Sequence, residues 1–174
     1  MGPYSFVERL AAARIGETFN QYAHAPDLCD RLAAYLVRRA EAPLLLVGEA
    51  AGYRGARVSG LPFTSERQLT GAGPAEATAT IVRRVLAELR IEADVLCWNL
   101  VPTHPHRPGE PQSNRQPTSA EIEAARPFLD ELAAGRRAIA VGRLAHAALG
   151  GPYVRHPSHG GAREFRARLV ELLA

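Results

Sequence analysis

The sequence predicts an α/β protein, a three-layer α/β/α sandwich with a central four-stranded parallel sheet. Two observations support this fold class. Four short apolar runs of strand length alternate with longer helix-forming segments along the chain. Of the 174 residues, 47% are hydrophobic, which is enough to build one substantial core. Because strands that alternate with helices pair in parallel and are covered on both faces, we expect one domain over residues 1–174.

The N-terminal part of the chain is predicted to be helical before it enters the first strand. Residues 6–13 have helix-forming composition without a clean apolar stripe, and residues 16–22 are predicted to form a loop. Pro26 can open a helix that runs to about residue 39, and residues 44–47 then form a buried strand. One face of this helix is apolar, formed by Leu28, Leu32, Tyr35 and Leu36.

A long loop, a helix and a second strand follow. Residues 48–73 are rich in glycine and arginine and are predicted to form one loop. Pro74 opens the next helix, and residues 95–100 form the second strand. Residues 102–117 hold five prolines and two histidines, which predicts another loop.

The C-terminal part of the chain continues the alternation. Thr118 and Glu121 form a capping box, and their helix runs to a C-cap at Gly135. The remaining elements are a third strand, a short helix, a short fourth strand and a closing helix, at residues 138–141, 144–149, 153–155 and 162–173.

Composition and charge exclude several classes of protein. The net charge is +3 and all 21 cations are arginine, which weakly favours contact with phosphate groups. Cys29 and Cys97 cannot supply the four thiolates of a usual iron–sulfur cluster, and we expect no cofactor. No apolar run reaches the roughly 20 residues of a membrane span and the N-terminus has no signal pattern. We therefore expect a cytoplasmic protein with no membrane partner.

Three short segments each lie where a predicted strand ends. Residues 48–52 follow the first strand, Asn99 ends the second, and residues 156–158 follow the fourth. Because ligands bind at the carboxyl ends of the strands in an open parallel sheet, we expect the Glu49 carboxylate, the Asn99 amide and the His156 imidazole to meet at one pocket. These groups can read the edge of a nucleobase and stabilise charge that leaves with it.

Each of these residues also has an ordinary structural explanation. Residues 48–52 can be a plain strand-to-loop turn, and Asn99 can cap a turn. Phe63, in the long loop, can be a hydrophobic anchor rather than a surface on which a base stacks. Zinc binding by His104 and His106 together with the histidines that follow the fourth strand is disfavoured, since no familiar metal spacing is present.

Three other kinds of enzyme are disfavoured by the absence of their sequence patterns. The chain has no Gly-x-Gly-x-x-Gly pattern for a dinucleotide. It has no Gly-x-Ser-x-Gly elbow for a nucleophilic serine, and it lacks the zinc deaminase signature.

Taken together, the strand-end segments resemble the motifs of the uracil-DNA glycosylase superfamily over roughly residues 44–172. The segment Gly48-Glu49-Ala50-Ala51-Gly52 is similar to the Gly-Glu-Ala-Pro-Gly motif of the thermostable iron–sulfur branch, and His156-Pro157-Ser158 is similar to the last motif of the superfamily. Phe63 and Asn99 lie between them at fitting distances. The resemblance implies a four-stranded parallel sheet between helices. Because the cluster cysteines are absent, it also implies a separate, cluster-free branch.

The resemblance implies a role for each pocket residue. Phe63 would stack on an extruded uracil, and Asn99 would hydrogen-bond its Watson–Crick edge. His156 would donate a hydrogen bond to uracil O2 as negative charge builds there, and the backbone at Gly48 and Ala50 would line the pocket. The last loop, with Ser158, His159 and Arg163, would press into the duplex and bind phosphate.

The chain departs from the pattern of the superfamily at three positions of the first motif, and at one of them Ala51 replaces the usual proline. Ala50 stands where the best-known branch has a water-positioning aspartate, and Glu49 is the nearest replacement as base or as stabiliser of the sugar cation. Gly52 stands where that branch has a tyrosine that rejects the methyl group of thymine, and Tyr53 is the neighbouring candidate for that task.

The predicted function is a monofunctional DNA glycosylase that hydrolyses the N-glycosidic bond of deoxyuridine in DNA. The expected partner is single- or double-stranded DNA that contains uracil, and the expected state is a monomer. Two alternatives remain open. The pocket could hold uracil or abasic DNA without cutting it, or the enzyme could act on hypoxanthine, xanthine or mismatched thymine.

Overall fold

Four parallel strands form one sheet in the computed structural model, which describes residues 2–174. The strands are β1 (Leu44–Ala50), β2 (Val95–Val101), β3 (Arg137–Val141) and β4 (Tyr153–Val154). They lie side by side in the order β2-β1-β3-β4, and every pairing is parallel. The sheet therefore has the strand number and the direction that the sequence predicts.

Helices precede, connect and follow the strands. In chain order they are α1 (Pro3–Ala12), α2 (Gln21–His24), α3 (Pro26–Arg38), α4 (Ala56–Ser59), α5 (Glu66–Thr70), α6 (Ala77–Glu88), α7 (Ser119–Ala133), α8 (Arg143–Leu149) and α9 (Ala162–Leu173). No helix within residues 2–174 combines the length and the apolarity that a membrane crossing needs.

The helices cover both faces of the sheet, and alternate strand residues pack against different helices. Leu45 and Val47 of β1 belong to a core that also holds apolar side chains of α1, α3 and α7. Leu46, between them, belongs to the opposite core with α6 and α9. This alternation follows from the two-residue period of a strand, and it makes the molecule a three-layer α/β/α sandwich.

The strand order places a candidate ligand site at the carboxyl end of β1. The chain goes from β1 to β2 on one side of the sheet and then returns to β3 on the other side of β1. Such a reversal opens a crevice between the loops that follow the central strands. Gly48 of β1 pairs with Asn99 of β2, so the end of each strand reaches the same edge.

The structure corrects the predicted connections more than the predicted strands. The predicted loop at residues 48–73 contains α4 and α5, and a capping box of Ser65 and Gln68 starts α5. The predicted helix at Pro74 begins later, at Ala77, because the Pro74 carbonyl accepts a hydrogen bond from the Arg67 N–H at 3.2 Å. Near the N-terminus, α1 begins before residue 6, and the predicted loop at 16–22 ends where α2 begins.

Candidate functional site

A cleft of about 380 Å³ lies at the carboxyl ends of the strands. Its size falls within the range of pockets that hold small organic molecules. Its walls come from β1, β2 and the loops after β1, β2 and β4. The lining residues are Glu49, Ala50, Ala51, Gly52, Ala56, Phe63, Glu76, Thr78, Asn99, Pro105, Asn114, Arg115, His156 and His159. The structure thus brings the predicted carboxylate, amide and imidazole to one cavity.

Gly48 permits a close approach of two side chains that line this cleft. A Cβ atom on Gly48 would lie 2.5 Å from Cζ of Phe63 and 2.8 Å from Oδ1 of Asn99. Any side chain at this position would therefore displace the ring or the amide. Gly48 acts through its lack of a side chain, and it lets Phe63 and Asn99 approach the same strand end.

Phe63 is both an anchor of its loop and a wall of the cleft. Its side chain is 8% exposed and packs in the core on the α6 face of the sheet. Its backbone lies in the left-handed region, with φ of 48°, which is rare for a residue with a side chain. The Arg83 Nε–H donates to the Phe63 carbonyl oxygen at 3.3 Å and helps to hold this conformation. The two explanations that the sequence left open for Phe63 are therefore compatible.

Asn99 presents an amide that the protein itself does not use. The residue is 4% exposed and lines the cleft from the end of β2. Among residues 2–174, its side chain has no hydrogen-bond partner. Its oxygen and nitrogen are not among the sealed atoms of the described residues, so they are open to the cleft and available for a ligand contact.

His156 is held in one tautomer by the residue two positions along. The Ser158 backbone N–H donates to Nδ1 of His156 at 3.3 Å, and Ser158 Oγ lies 2.7 Å from the same nitrogen. Since a backbone N–H can only donate, Nδ1 is an acceptor and the ring proton lies on Nε2. Burial, with a smaller contribution from the charge of His159, lowers the pKa of His156. The cleft therefore has a neutral imidazole with one N–H donor.

Glu49 is a half-buried carboxylate at the end of β1. Burial raises its pKa above the usual value for glutamate, and no other cause contributes to the shift. Within the described chain its carboxylate accepts no hydrogen bond and pairs with no cation. Glu49 also lines the cavity beside the cleft, next to His156, so it lies between the two spaces.

Glu76 is a second cleft carboxylate, and no sequence pattern indicated it. It lies just before α6, and its oxygens press against the backbone of the loop after β1. A Cβ atom on Gly52 would lie 2.7 Å from Oε1, and one on Gly55 would lie 2.2 Å from Oε2. Burial raises the pKa of Glu76. The Glu76 carboxylate thus fills space beside Gly52. The ring of Tyr53, the residue that the sequence offered for the space beside Gly52, packs instead near His104 and Arg57.

Buried polar contacts fix the loops that form the cleft. His104 is fully buried, and its Nδ1 lies 2.8 Å from the carbonyl oxygen of Ala51. Since a carbonyl can only accept, Nδ1 of His104 carries the proton. Asn114 Oδ1 accepts a hydrogen bond from the Tyr53 backbone N–H at 2.9 Å. These contacts tie the loop after β2 to the loop after β1.

Arg115 connects the cleft wall to α7. Its terminal nitrogens donate to both oxygens of Glu121, at 2.8 and 2.6 Å. Glu121 also accepts from the Thr118 backbone N–H at 2.9 Å, as the predicted capping box requires. The Arg115 guanidinium, with its hydrogen bonds, lowers the pKa of Glu121 to about 2. Arg115 is therefore committed to a structural partner.

The three residues predicted to bind DNA lie at different places. His159 lines the cleft, and its Nδ1 lies 3.0 Å from Ser158 Oγ. Ser158 lines the adjacent cavity and links the rings of His156 and His159. Arg163 is exposed on α9 and is not among the residues that line either space.

The arrangement suits the release of a planar base that leaves as an anion. An amide, an N–H donor and a carboxylate surround a cavity with one aromatic wall. Among residues 2–174, no three histidine, cysteine, aspartate or glutamate side chains are grouped closely enough to hold a metal ion. The groups present are those of acid–base and hydrogen-bonding chemistry.

Comparison with known proteins identifies the fold and the family. The chain resembles the crystal structure of wild-type SMUG2 from Pedobacter heparinus, with a TM-score of 0.67 and 11% identity, over 99% of this chain and 97% of the other. At this identity the likeness shows the fold. No curated protein matches the sequence significantly. The model of the uracil DNA glycosylase superfamily matches residues 36–172, and the chain therefore belongs to that superfamily.

Proposed function

We propose that this protein is a monofunctional DNA glycosylase that hydrolyses the N-glycosidic bond of deoxyuridine in DNA, releasing uracil and leaving an abasic site. One observation carries the proposal. The Asn99 amide, the His156 N–H donor and the Glu49 carboxylate line one cleft without protein partners for the groups they offer, beside the ring of Phe63. Membership of the superfamily supports glycosylase chemistry on DNA.

Recognition of uracil rests on Phe63 and Asn99. A base enclosed in a duplex must first be extruded, which costs a few kcal/mol. Stacking on an aromatic ring returns about 1–3 kcal/mol of this. The amide of Asn99 can accept a hydrogen bond from N3–H of uracil and donate one to O4. Cytosine presents the opposite pattern, with an acceptor at N3 and an amino donor at C4. In this orientation the amide matches uracil, and binding of cytosine would require the amide to turn over.

Cleavage of the bond rests on His156. As the bond between the sugar carbon and the base nitrogen breaks, its electron pair moves to the base and negative charge accumulates on O2. The neutral imidazole donates its Nε2–H to that oxygen, and Ser158 holds the ring in the required tautomer. A donor positioned in advance in this way accelerates a reaction about 10²–10³-fold.

Hydration of the sugar rests on the cleft carboxylates. Ala50 has no group that can orient water, so Glu49 takes that role and also stabilises the positive charge on the sugar. The hydroxyl of the water joins the sugar carbon, and its proton passes to Glu49 and then to solvent. A carboxylate with a raised pKa is better matched to accept a proton near neutral pH.

The loop after β4 is the candidate for entry into the duplex. His159 and Gly160 are exposed and both have positive φ, 51° and 77°, so the loop turns sharply outward beside His156. We place Ser158 and His159 at the DNA backbone. Arg163 lies further along, on the exposed side of α9, and can reach phosphate only outside the cleft.

A second substrate class is supported by Glu76. Its carboxylate lies in the cleft beside Gly52, where it could accept a hydrogen bond from an additional N–H group. Xanthine carries such a group, since it has N–H at both N1 and N3, whereas hypoxanthine, like uracil, has one ring N–H. The cleft could therefore accept a deaminated purine as well as uracil.

Alkaline strand cleavage of end-labelled oligonucleotides tests the proposal. Each oligonucleotide contains one deoxyuridine, deoxyinosine, deoxyxanthosine or mismatched thymidine, and a deoxycytidine strand is the control. We expect cleavage at deoxyuridine and none at deoxycytidine. Binding to the deoxyuridine strand without cleavage would instead support a non-catalytic module. Cleavage only at a purine would move the substrate to the second class.

A further inference from the structure

Arg57, on α4, is a cation without a partner beside the cleft. Its Nε is buried and has no hydrogen-bond partner. Among residues 2–174, its guanidinium forms no ion pair and donates no hydrogen bond. Arg115 and Arg155, two other arginines near the strand ends, are both paired with glutamates. The buried Nε is closed to a ligand, whereas the terminal nitrogens are not among the sealed atoms of the described residues and are free to donate to an external acceptor.

Two aromatic rings hold this guanidinium in place. Its central carbon lies 5.0 Å from the ring centroid of Phe19 and 5.2 Å from that of Tyr53. The ring of Phe19 in turn stacks on His24, with centroids 5.2 Å apart. Contact with aromatic faces orients a guanidinium and leaves its edge free for hydrogen bonds, which is the arrangement that suits a phosphate.

A groove of about 450 Å³ runs beside these rings. Phe19, His24 and His106 all line it. The groove and the cleft lie on either side of the loop after β2, because Pro105 lines the cleft and its neighbour His106 lines the groove. Arg57 lines neither space, but Phe19, which its guanidinium contacts, lines the groove. A DNA strand with one nucleotide in the cleft would cross this loop to place the next part of its backbone at the groove.

The charge of this groove is also suited to an anion. Its two charged lining residues, Arg14 and Glu17, form an ion pair with each other. Arg57 is left as the uncompensated charge at the aromatic edge. The field of Arg57 is one of the causes that lower the pKa of His104. The local balance is positive, as a phosphate site requires.

We propose that Arg57, held against Phe19 and Tyr53, binds the backbone phosphate of a nucleotide next to the extruded one. The groove lined by Phe19, His24 and His106 then holds that neighbouring part of the DNA strand. This inference rests on the proposed function, because it takes DNA as the ligand and the cleft as the site of the extruded base. It assigns a contact with the DNA strand to Phe19 and His24, which precede β1, and to Arg57, which follows it.

Binding of single-stranded DNA at several salt concentrations tests the assignment. The probe is a short fluorescein-labelled oligothymidylate with one central abasic analogue, and the measurement is fluorescence anisotropy. We expect Arg57→Gln to weaken binding about tenfold, since the lost contact is a hydrogen-bonded ion pair. The slope of log affinity against log salt should fall by about 0.7, the value for one phosphate contact on a single strand. Arg57→Lys should keep the slope and lose part of the affinity.

The matched control is Arg38→Gln. Arg38 is exposed at the end of α3, which precedes β1, so it lies at the opposite end of the sheet from the cleft. We expect this variant to bind as the wild type does. An Arg57→Gln variant that melts normally and keeps the wild-type affinity and slope would overturn the assignment. A wild-type protein that binds the probe but never excises uracil would overturn the proposed function, while weaker binding and a smaller salt slope for Arg57→Gln would still support the Arg57 contact.

Discussion

Glu121 and the two cleft carboxylates, Glu49 and Glu76, are all withdrawn from bulk water, yet only Glu121 has partners. Arg115 and the Thr118 N–H donate to Glu121, and its pKa falls to about 2. Burial raises the pKa of both cleft carboxylates, and no cation within residues 2–174 offsets it.

This difference separates groups that stabilise the fold from groups that are kept for a ligand. A satisfied ion pair holds the loop before α7 in place, and removal of one partner leaves a buried charge. A carboxylate without partners in a cleft lowers the stability of the fold, and such groups are usually found where they take part in catalysis or ligand binding. Mutations in the two regions should therefore have opposite effects on stability.

The largest effect on stability is expected from Glu121→Ala. Arg115 would lose its partner, and breaking a buried pair in this way costs about 3–5 kcal/mol. Because the pKa of Glu121 is lowered in the folded state, its contribution is present above the usual pKa of glutamate and is lost as the pH falls towards 2. Urea denaturation at pH 7 and at acidic pH measures both the loss of unfolding free energy and its dependence on pH.

Glu123→Ala is the control for this change, because Glu123 is exposed on the same helix. It should leave the free energy of unfolding within about 0.5 kcal/mol of the wild type. Equal stability of the Glu121→Ala and Glu123→Ala proteins would show that the pair does not stabilise the fold.

Asn99→Asp should reduce uracil excision by one to two orders of magnitude. A carboxylate cannot donate to O4, and it brings an added negative charge close to the departing base. Asn114→Asp is the matched control, since Asn114 also lines the cleft but uses only its oxygen, to accept from Tyr53 N–H. Single-turnover excision should be retained by the control. Equal losses in both variants would point to charge alone rather than to base recognition.

Glu49→Gln should slow excision about tenfold or more at neutral pH and remove the acidic limb of its pH profile. Because burial raises the pKa of Glu49, protonation removes the base at a higher pH than for an ordinary glutamate. Burial lowers the pKa of His156, so its imidazole becomes protonated at a lower pH than an ordinary histidine does. A rate profile with an unchanged acidic limb in the variant would exclude Glu49 as the base.

The smallest effect is expected from Glu76→Gln, and it should be a stabilisation. The amide relieves a desolvated charge beside Gly52 and Gly55, and a gain of about 1 kcal/mol would raise Tm by about 2–4 °C. Because the pKa of Glu76 is raised in the folded state, the gain should be largest above that pKa and vanish as the pH falls below the usual value. Glu92→Gln, at an exposed site, should not change Tm. A lowered Tm would indicate that Glu76 supports the fold.

The strands and their end residues could be predicted from the sequence for a physical reason. Strand-length apolar runs such as residues 44–47 leave few choices for a buried parallel sheet, and parallel strands bring their carboxyl ends to one edge. The capping box at Thr118 is likewise local, because its partners lie three residues apart. Glu49, Asn99 and His156 were therefore predictable as neighbours.

The rest of the site depends on contacts between distant segments. The short helices α4 and α5 have too few residues for a periodic pattern. Glu76 lies in the cleft only because the chain before α6 folds back on Gly52 and Gly55. Phe19 meets Arg57 across a long separation in sequence. No local sequence pattern indicates such long-range contacts, so they are seen only in the folded structure.

The central claim is that His156 stabilises the leaving base inside the cleft. The direct measurement is single-turnover release of uracil from a deoxyuridine oligonucleotide by the wild type, His156→Ala and the control His146→Ala, with DNA affinity measured alongside. We predict that His156→Ala loses at least 10²-fold in the rate of uracil release and keeps near-normal DNA affinity. The control should release uracil at the normal rate, because His146 lies on α8 with its ring against Tyr153 of β4. Near-normal release by His156→Ala would contradict the account.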